Sequence, residues 1–229
     1  MFRKICIFII LVFILSACGR KTPPFSIEES IPKKFSFEVK PVSTGFELFV
    51  SLPTRTKAGY PLTQIKKLIV KKEIFSPNGK FIKEEKIKLN PRIHTAANTY
   101  FFLDSKVKSG LCYRYSVRVV KDFLVKTDFL AGKLLCWQAP PPPPADFKVV
   151  KRDSAFELFW KGVKESPQVN YQVRRLLDGK EKLFSVKLPP FKDAPEFKNF
   201  LCYSVRGVIN YKGTLIPGDW SRKVCFYKE

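Results

Sequence analysis

The chain has 229 residues, a formal net charge of +22 and 45% hydrophobic residues, enough apolar material to build packed cores rather than a disordered coil. One His in the whole chain excludes a multi-His metal site, and there is no Gly-X-Y period or heptad register, which excludes collagen and coiled coil. The length suits one large or two small domains.

Met1-Phe2-Arg3-Lys4 is a short basic start, and Ile5 to Leu15 is an uninterrupted apolar run of eleven residues. That is short of the roughly 20 residues needed to span a bilayer but has the size of a secretory h-region. Leu15-Ser16-Ala17-Cys18-Gly19 resembles the lipobox of bacterial lipoproteins. The resemblance implies a signal peptide over 1–17, cleavage before Cys18, and acylation of Cys18, palmitate included. It also implies a membrane anchor in the cell envelope. Gly19 after the Cys implies the outer membrane, facing the periplasm, in a Gram-negative cell. Residues 18–34, with Pro23, Pro24 and Pro32, read as the lipidated Cys and a tether.

Beyond the tether, apolar residues alternate. Tyr113, Tyr115, Val117 and Val119 share one parity, as do Phe156, Leu158 and Trp160. Period two with turn signals at Pro77-Asn78-Gly79, Ser109-Gly110, Asp178-Gly179 and Pro217-Gly218-Asp219 predicts short antiparallel strands. The strands are expected near 35–40, 45–52, 65–75, 80–88, 99–103, 111–121 and 129–137, then 146–151, 155–161, 169–177, 181–187, 196–200, 202–210 and 220–227. Pro140 to Pro144 is a run of five prolines, a stiff spacer. The segments either side repeat. Phe46-Glu47-Leu48-Phe49 recurs as Phe156-Glu157-Leu158-Phe159, and Leu111-Cys112-Tyr113 as Leu201-Cys202-Tyr203. Tyr115-Ser116-Val117-Arg118 recurs as Tyr203-Ser204-Val205-Arg206, so the first copy carries two extra residues after its Cys. The expected division is domain 1 over 35–139, a linker over 140–145 and domain 2 over 146–229.

The second copy resembles a fibronectin type III domain. The residues that carry the likeness are Asp146-Phe147-Lys148-Val149, Phe156-Glu157-Leu158-Phe159-Trp160, Tyr171-Gln172-Val173, Tyr203-Ser204-Val205-Arg206 and Gly218-Asp219-Trp220-Ser221. In the first copy, Gly59-Tyr60-Pro61-Leu62 resembles the family's loop before the third strand, while Val50 stands where the core Trp is expected. The resemblance implies an all-β chain of two tandem immunoglobulin-like sandwiches and a binding or spacer module without catalytic residues.

Cys6 leaves with the signal peptide and Cys18 is lipidated, so Cys112, Cys136, Cys202 and Cys225 remain, with three possible connectivities. In the family's fold the sixth and seventh strands are antiparallel neighbours. Separations of 24 and 23 residues then favour Cys112–Cys136 and Cys202–Cys225, with the Cys on the parity opposite to the inward Tyr. Four free thiols in a reducing envelope are the alternative. Lys66, Lys67, Lys71, Lys72, Lys83 and Lys86 crowd one predicted hairpin, which could meet anionic headgroups, a glycan or an acidic protein. A solvated Lys-rich surface that discourages edge pairing is the plainer reading. Phe49 and Phe159 fall on outward parity and mark a candidate docking patch. His94 reads as a loop residue. No metal, cofactor, catalytic motif or nucleic-acid partner is expected. The expected function is a non-enzymatic, membrane-anchored lipoprotein binding an envelope protein or glycan, or else an accessory subunit of an envelope assembly or secretion complex.

Overall fold

The structure, a computed structural model, describes residues 26, 29–32, 34–62, 65–89, 95–96, 98–121, 124–162 and 169–228. The segment expected to be a signal peptide (1–17), Cys18, most of the expected tether (18–34) and His94 lie outside the described residues. Every regular element described is a strand, and the chain runs β1 (Ser36–Val42), β2 (Gly45–Ser51), β3 (Lys67–Phe75), β4 (Phe81–Leu89), β5 (Thr95–Ala96), β6 (Thr99–Asp104), β7 (Cys112–Val120) and β8 (Leu130–Cys136). The second copy continues with β9 (Ala145–Arg152), β10 (Ala155–Lys161), β11 (Val169–Leu177), β12 (Lys180–Val186), β13 (Phe191–Asp193), β14 (Phe200–Tyr211), β15 (Thr214–Pro217) and β16 (Val224–Tyr227).

All pairings are antiparallel. In the first copy the sheets are β1-β2-β6-β5 and β4-β3-β7-β8. In the second they are β9-β10-β13 and β12-β11-β14, with β15 and β16 both on β14. In each copy the fourth strand pairs with the third, β4 on β3 and β12 on β11, and the same sheet holds the disulfide-bearing strands, β7 and β8 or β14 and β16. This is the fibronectin type III arrangement, and the chain is all-β with two such sandwiches in tandem.

Alternation fixes the cores. Phe46, Leu48 and Val50 of β2, Leu68, Val70 and Ile74 of β3, and Tyr113, Tyr115, Val117 and Val119 of β7 point into one buried cluster. Its counterpart holds Phe147, Phe156, Leu158, Trp160, Tyr171, Val173, Leu201, Tyr203 and Val205. Each fully buried aliphatic or aromatic side chain contributes about 1.5–3 kcal/mol. With Val50 in place of the expected Trp, the first core takes its indole from the other end. Trp137, just after β8, packs edge-on against Phe46 at 5.3 Å. The second copy uses the same site for Phe226, 4.9 Å from Phe156, and adds Trp160 against Tyr171 at 5.3 Å. Cys112 is bonded to Cys136, and Cys202 to Cys225, each across directly opposed positions of neighbouring strands.

The strand order of the second copy departs from the expectation at its fifth strand. That strand is β13, at Phe191–Asp193 rather than 196–200, and residues 200–211 form one continuous β14. Phe191 supplies the ring that meets Phe184 at 5.2 Å, while Pro195 to Asn199 form a loop without strand pairing.

Candidate functional site

Lysine on the apolar parity of β3 is the first feature to place. Lys72 follows Leu68 and Val70 in phase, so alternation carries it into the core opposite Tyr115. Its Nζ lies 2.7 Å from Asp104 Oδ2, and the two side chains are 1% and 4% exposed. Lys72 Nζ also donates to the Lys106 carbonyl at 2.7 Å. The Tyr115 hydroxyl donates to Asp104 Oδ2 at 2.8 Å, and the Lys106 N–H to Oδ1 at 3.0 Å. Burial, with the Asp104 charge beside it, drives the Tyr115 phenol far above its ordinary value, so it stays a neutral donor. Lys72 therefore cannot contact an anionic surface: the phase that placed it on β3 turns it inward to neutralise Asp104.

The second copy builds the same cluster with a different cation. Arg175 faces Tyr203 in register, and its Nη1 reaches both Asp193 carboxylate oxygens at 2.9 Å. The Tyr203 hydroxyl donates to Asp193 Oδ2 at 2.7 Å. Burial and the Asp193 carboxylate push this phenol far up as well. Each sandwich thus ties its two sheets together through a cation, a carboxylate and a phenol at matching positions. The sequence repeat showed the Tyr but hid the rest, because Lys stands for Arg and the strands carrying Asp104 and Asp193 differ in length.

A second pair of matched features lies on the outer face of the larger sheet. Arg174 and Arg206 stand 4.4 and 4.3 Å from the Trp220 ring centroid. Arg206 is held by Gln172 Oε1, which accepts from Nε at 2.9 Å and Nη2 at 2.7 Å. In the first copy Arg118 and Lys71 stand 4.1 and 5.4 Å from the Phe129 ring. Such contacts contribute about 0.5–2 kcal/mol each. Lys71 also lies 3.4 Å from Glu73. Arg114 donates to Glu73 at 2.8 Å and holds its carboxyl below the usual carboxylate range.

Of the remaining hairpin lysines, Lys83 pairs with Glu85 at 2.5 Å and Lys86 with Glu84 at 3.3 Å. Lys66 is exposed and Lys67 half-buried. The hairpin's charge is therefore partly balanced by its own carboxylates. Phe49 lies on the outer face of β2, 5.4 Å from Phe101 of β6 and 5.1 Å below Lys40 Nζ. With Phe101 and Leu103, 40% and 39% exposed, it forms an apolar strip. Phe159 occupies the matching place on β10 under Lys148 Nζ at 5.9 Å. Long Lys stems partly cover both rings.

The two sandwiches meet at a packed joint. The β14–β15 hairpin of the second copy sends Ile216, Ile209 and Tyr211 against the first core, and Ile216 is fully buried there. The Cys136 N–H donates to Thr214 Oγ1 at 2.9 Å, which covers the first disulfide. Ser43 Oγ donates to Asp219 Oδ1 at 2.5 Å, and Lys212 Nζ to the Pro77 carbonyl. Pro141 of the proline run is buried against this hairpin. A Cβ on Gly218 would stand 2.3 Å from the Pro141 carbonyl oxygen, so only Gly permits the approach. The residues at the joint come from the β1–β2 and β3–β4 turns and the end of β8 in the first copy, and from the β14–β15 end of the second.

Strand register then defines two opposite free ends. At one, Ser36 lies against Ser51 and Lys67 against Val120, so the described residues 29–32, 34–35, 52–62, 65–66, 121 and 124–129 gather there. At the other, Arg152, Ala155, Leu177, Phe200 and Tyr227 come together. This far end holds an open cleft of about 1120 Å³, lined by Lys151, Lys180, Lys198, Lys228, Phe197 and Tyr227 among others. Asp178 at its rim accepts the backbone N–H groups of Lys198, Asn199 and Phe200, which hold its carboxyl below the ordinary range.

No family model matches the sequence, and no curated protein matches it. Among solved structures, the chain is similar to a two fibronectin type III domain segment of chicken tenascin, at 12% identity over 86% of this chain and 99% of that one, with a TM-score of 0.35. It is similar to the FN1–FN3 domains of chicken CNTN1, at 17% identity over 83% and 65%, with a TM-score of 0.42. It is also similar to the chicken interferon gamma receptor alpha chain, at 13% identity over 84% and 96%, with a TM-score of 0.33. The strand order, rather than these likenesses, establishes that the chain is a tandem of fibronectin type III-like sandwiches.

Proposed function

We propose that this chain is a non-enzymatic lipoprotein of the cell envelope, anchored through acylated Cys18, that presents its two sandwiches as one stiff rod to a protein or glycan partner. The observation that carries this reading is the joint. With Ile216 buried in the first core and Gly218 under Pro141, the sandwiches cannot swing freely, so the two ends stay apart. The tether leaves from one end, and the open cleft with four lysines and three aromatic rings occupies the other. The Lys72–Asp104–Tyr115 and Arg175–Asp193–Tyr203 clusters tie the sheets of the two sandwiches together, which suits a mechanical role. In a Gram-negative cell, Gly19 favours the outer membrane, facing the periplasm.

The apolar strip Phe49–Phe101–Leu103 favours a second reading, an accessory subunit of an envelope assembly or secretion complex, because two of its members are well exposed on a flat sheet face. Affinity capture from cross-linked envelopes separates the two. A stoichiometric protein retained at high salt, and lost with Phe101→Ser, supports the subunit. A partner released as salt rises, and lost with Lys180→Glu and Lys198→Glu, supports the far-end cleft. Capture unaffected by either set of substitutions rejects both surfaces.

A further inference from the structure

We propose that the tether end of the first sandwich is itself a membrane-contact surface that rests on anionic lipid headgroups. Three loops meet at that end. The segment 29–32 pairs with the loop after β2: Pro32 bridges Thr56, and the Lys57 N–H donates to the Ile31 carbonyl at 2.9 Å. That loop is a small hairpin, in which the Thr56 N–H donates to the Tyr60 carbonyl at 2.8 Å and Arg55 bridges Pro61. Beside it the Lys66 N–H donates to the Val120 carbonyl at 2.9 Å, which brings up the loop after β7. That loop is closed by Lys121 N–H to the Val125 carbonyl at 2.9 Å.

The tips of both loops carry the interfacial combination of an apolar side chain ringed by cations. Tyr60 is 51% and Leu124 65% exposed. Around them Lys34, Arg55, Lys57, Lys66 and Lys126 are exposed, and Lys121 is half-buried. The described carboxylates at this end are Glu29 and Asp128. The far end is different: its four lysines face Asp153, Asp178 and Glu196, which leaves little net charge. Tyr and Leu at headgroup depth with Lys and Arg alongside is the pattern of a protein that lies on a bilayer.

Geometry supplies the occupant, and this step rests on the anchoring reading. Ser26 stands eight positions after Cys18, and an extended chain spans at most about 3.6 Å per residue. The end is therefore held within about 30 Å of a lipidated Cys18. The rod then stands with its cationic loops on the membrane and its cleft away from it.

The test needs no lipid anchor. Every described strand lies between Ser36 and Tyr227, so a chain lacking residues 1–18 keeps all of them. Flotation with phosphatidylcholine vesicles, with and without 30% phosphatidylglycerol, reads the partition directly. Binding to the anionic vesicles alone is expected, weakening as salt rises. Each basic residue near the surface changes the partition by about fivefold. The triple variant Lys57→Gln/Lys66→Gln/Lys126→Gln should therefore lose on the order of 100-fold. Leu124→Ser should weaken binding at every salt concentration. Lys180→Gln/Lys198→Gln at the far end should leave it unchanged. Equal binding to neutral vesicles, or equal loss from the far-end variant, overturns the proposal. Because the assay omits the acyl chains, an unacylated Cys18 would reject the anchor without deciding this result.

Discussion

Replacing Lys72 by Met tests the buried cation most sharply. Met keeps the length of the side chain but removes the charge 2.7 Å from Asp104. The carboxylate is then left in the core with the Tyr115 hydroxyl and the Lys106 N–H as its remaining donors. Removing one partner of a buried ion pair destabilises by about 3–5 kcal/mol. That is a large part of the ~5–15 kcal/mol that holds a domain together. For a sandwich of this size each kcal/mol lowers Tm by about 4–8 °C, so a fall of at least about 12 °C is expected. Scanning calorimetry and urea unfolding read the change. Two comparisons isolate the mechanism. Lys86→Met, on the exposed edge, should change stability by less than about 0.5 kcal/mol. Lys72→Met/Asp104→Asn removes both charges and should recover more than half of the loss. A Lys72→Met chain within about 1 kcal/mol of the parent would refute the reasoning. So would a double variant no more stable than the single one.

Ile216→Asp places a charge in the fully buried joint, and small-angle scattering should show a longer, more variable particle while each sandwich keeps its circular dichroism; unchanged dimensions would mean the joint is not held there. Cys112→Ala/Cys136→Ala opens a loop with a sequence separation of 24, and urea unfolding should show a loss of about 3.5 kcal/mol in the first sandwich, with no loss contradicting a chain-entropy role. Glu73 and Asp178 both have folded-state pKa values below their ordinary ones, so their contribution is complete above the ordinary carboxylate range, declines as pH drops below it, and is lost as pH falls through the lowered folded-state pKa. Glu73→Gln should flatten the acid limb of a stability–pH curve below about pH 4.5, and an identical limb would deny Glu73 that part.

The fold class was legible because period two is a strong signal wherever one face is buried. Phe46, Leu48 and Val50, or Tyr113, Tyr115 and Val117, leave no other reading. The fifth strand of the second copy was not legible. Pro189 and Pro190 directly before it look like a loop, and a three-residue strand holds too few alternations to register. The β15 strand was missed because its register ends on Pro217, a residue that ordinarily argues against pairing. Lys72 was legible in principle: it shares parity with Leu68, Val70 and Ile74, and a cation in apolar phase signals a buried partner. Asp104 could not be matched to it from spacing, because the pair spans two sheets. The joint was also hidden. Nothing local distinguishes Ile216 from an ordinary strand residue, and its partners lie in the other copy.

The measurement that bears most directly on the anchored rod is the intact mass of the N-terminal peptide of the mature protein, taken from the native envelope. The account predicts a chain that begins at Cys18 and carries a diacylglyceryl group and acyl chains on that residue. It also predicts a Cys18→Ser variant that is not processed and takes up no labelled palmitate. A mature chain that begins elsewhere, or a Cys18 without added mass, would contradict the anchored reading.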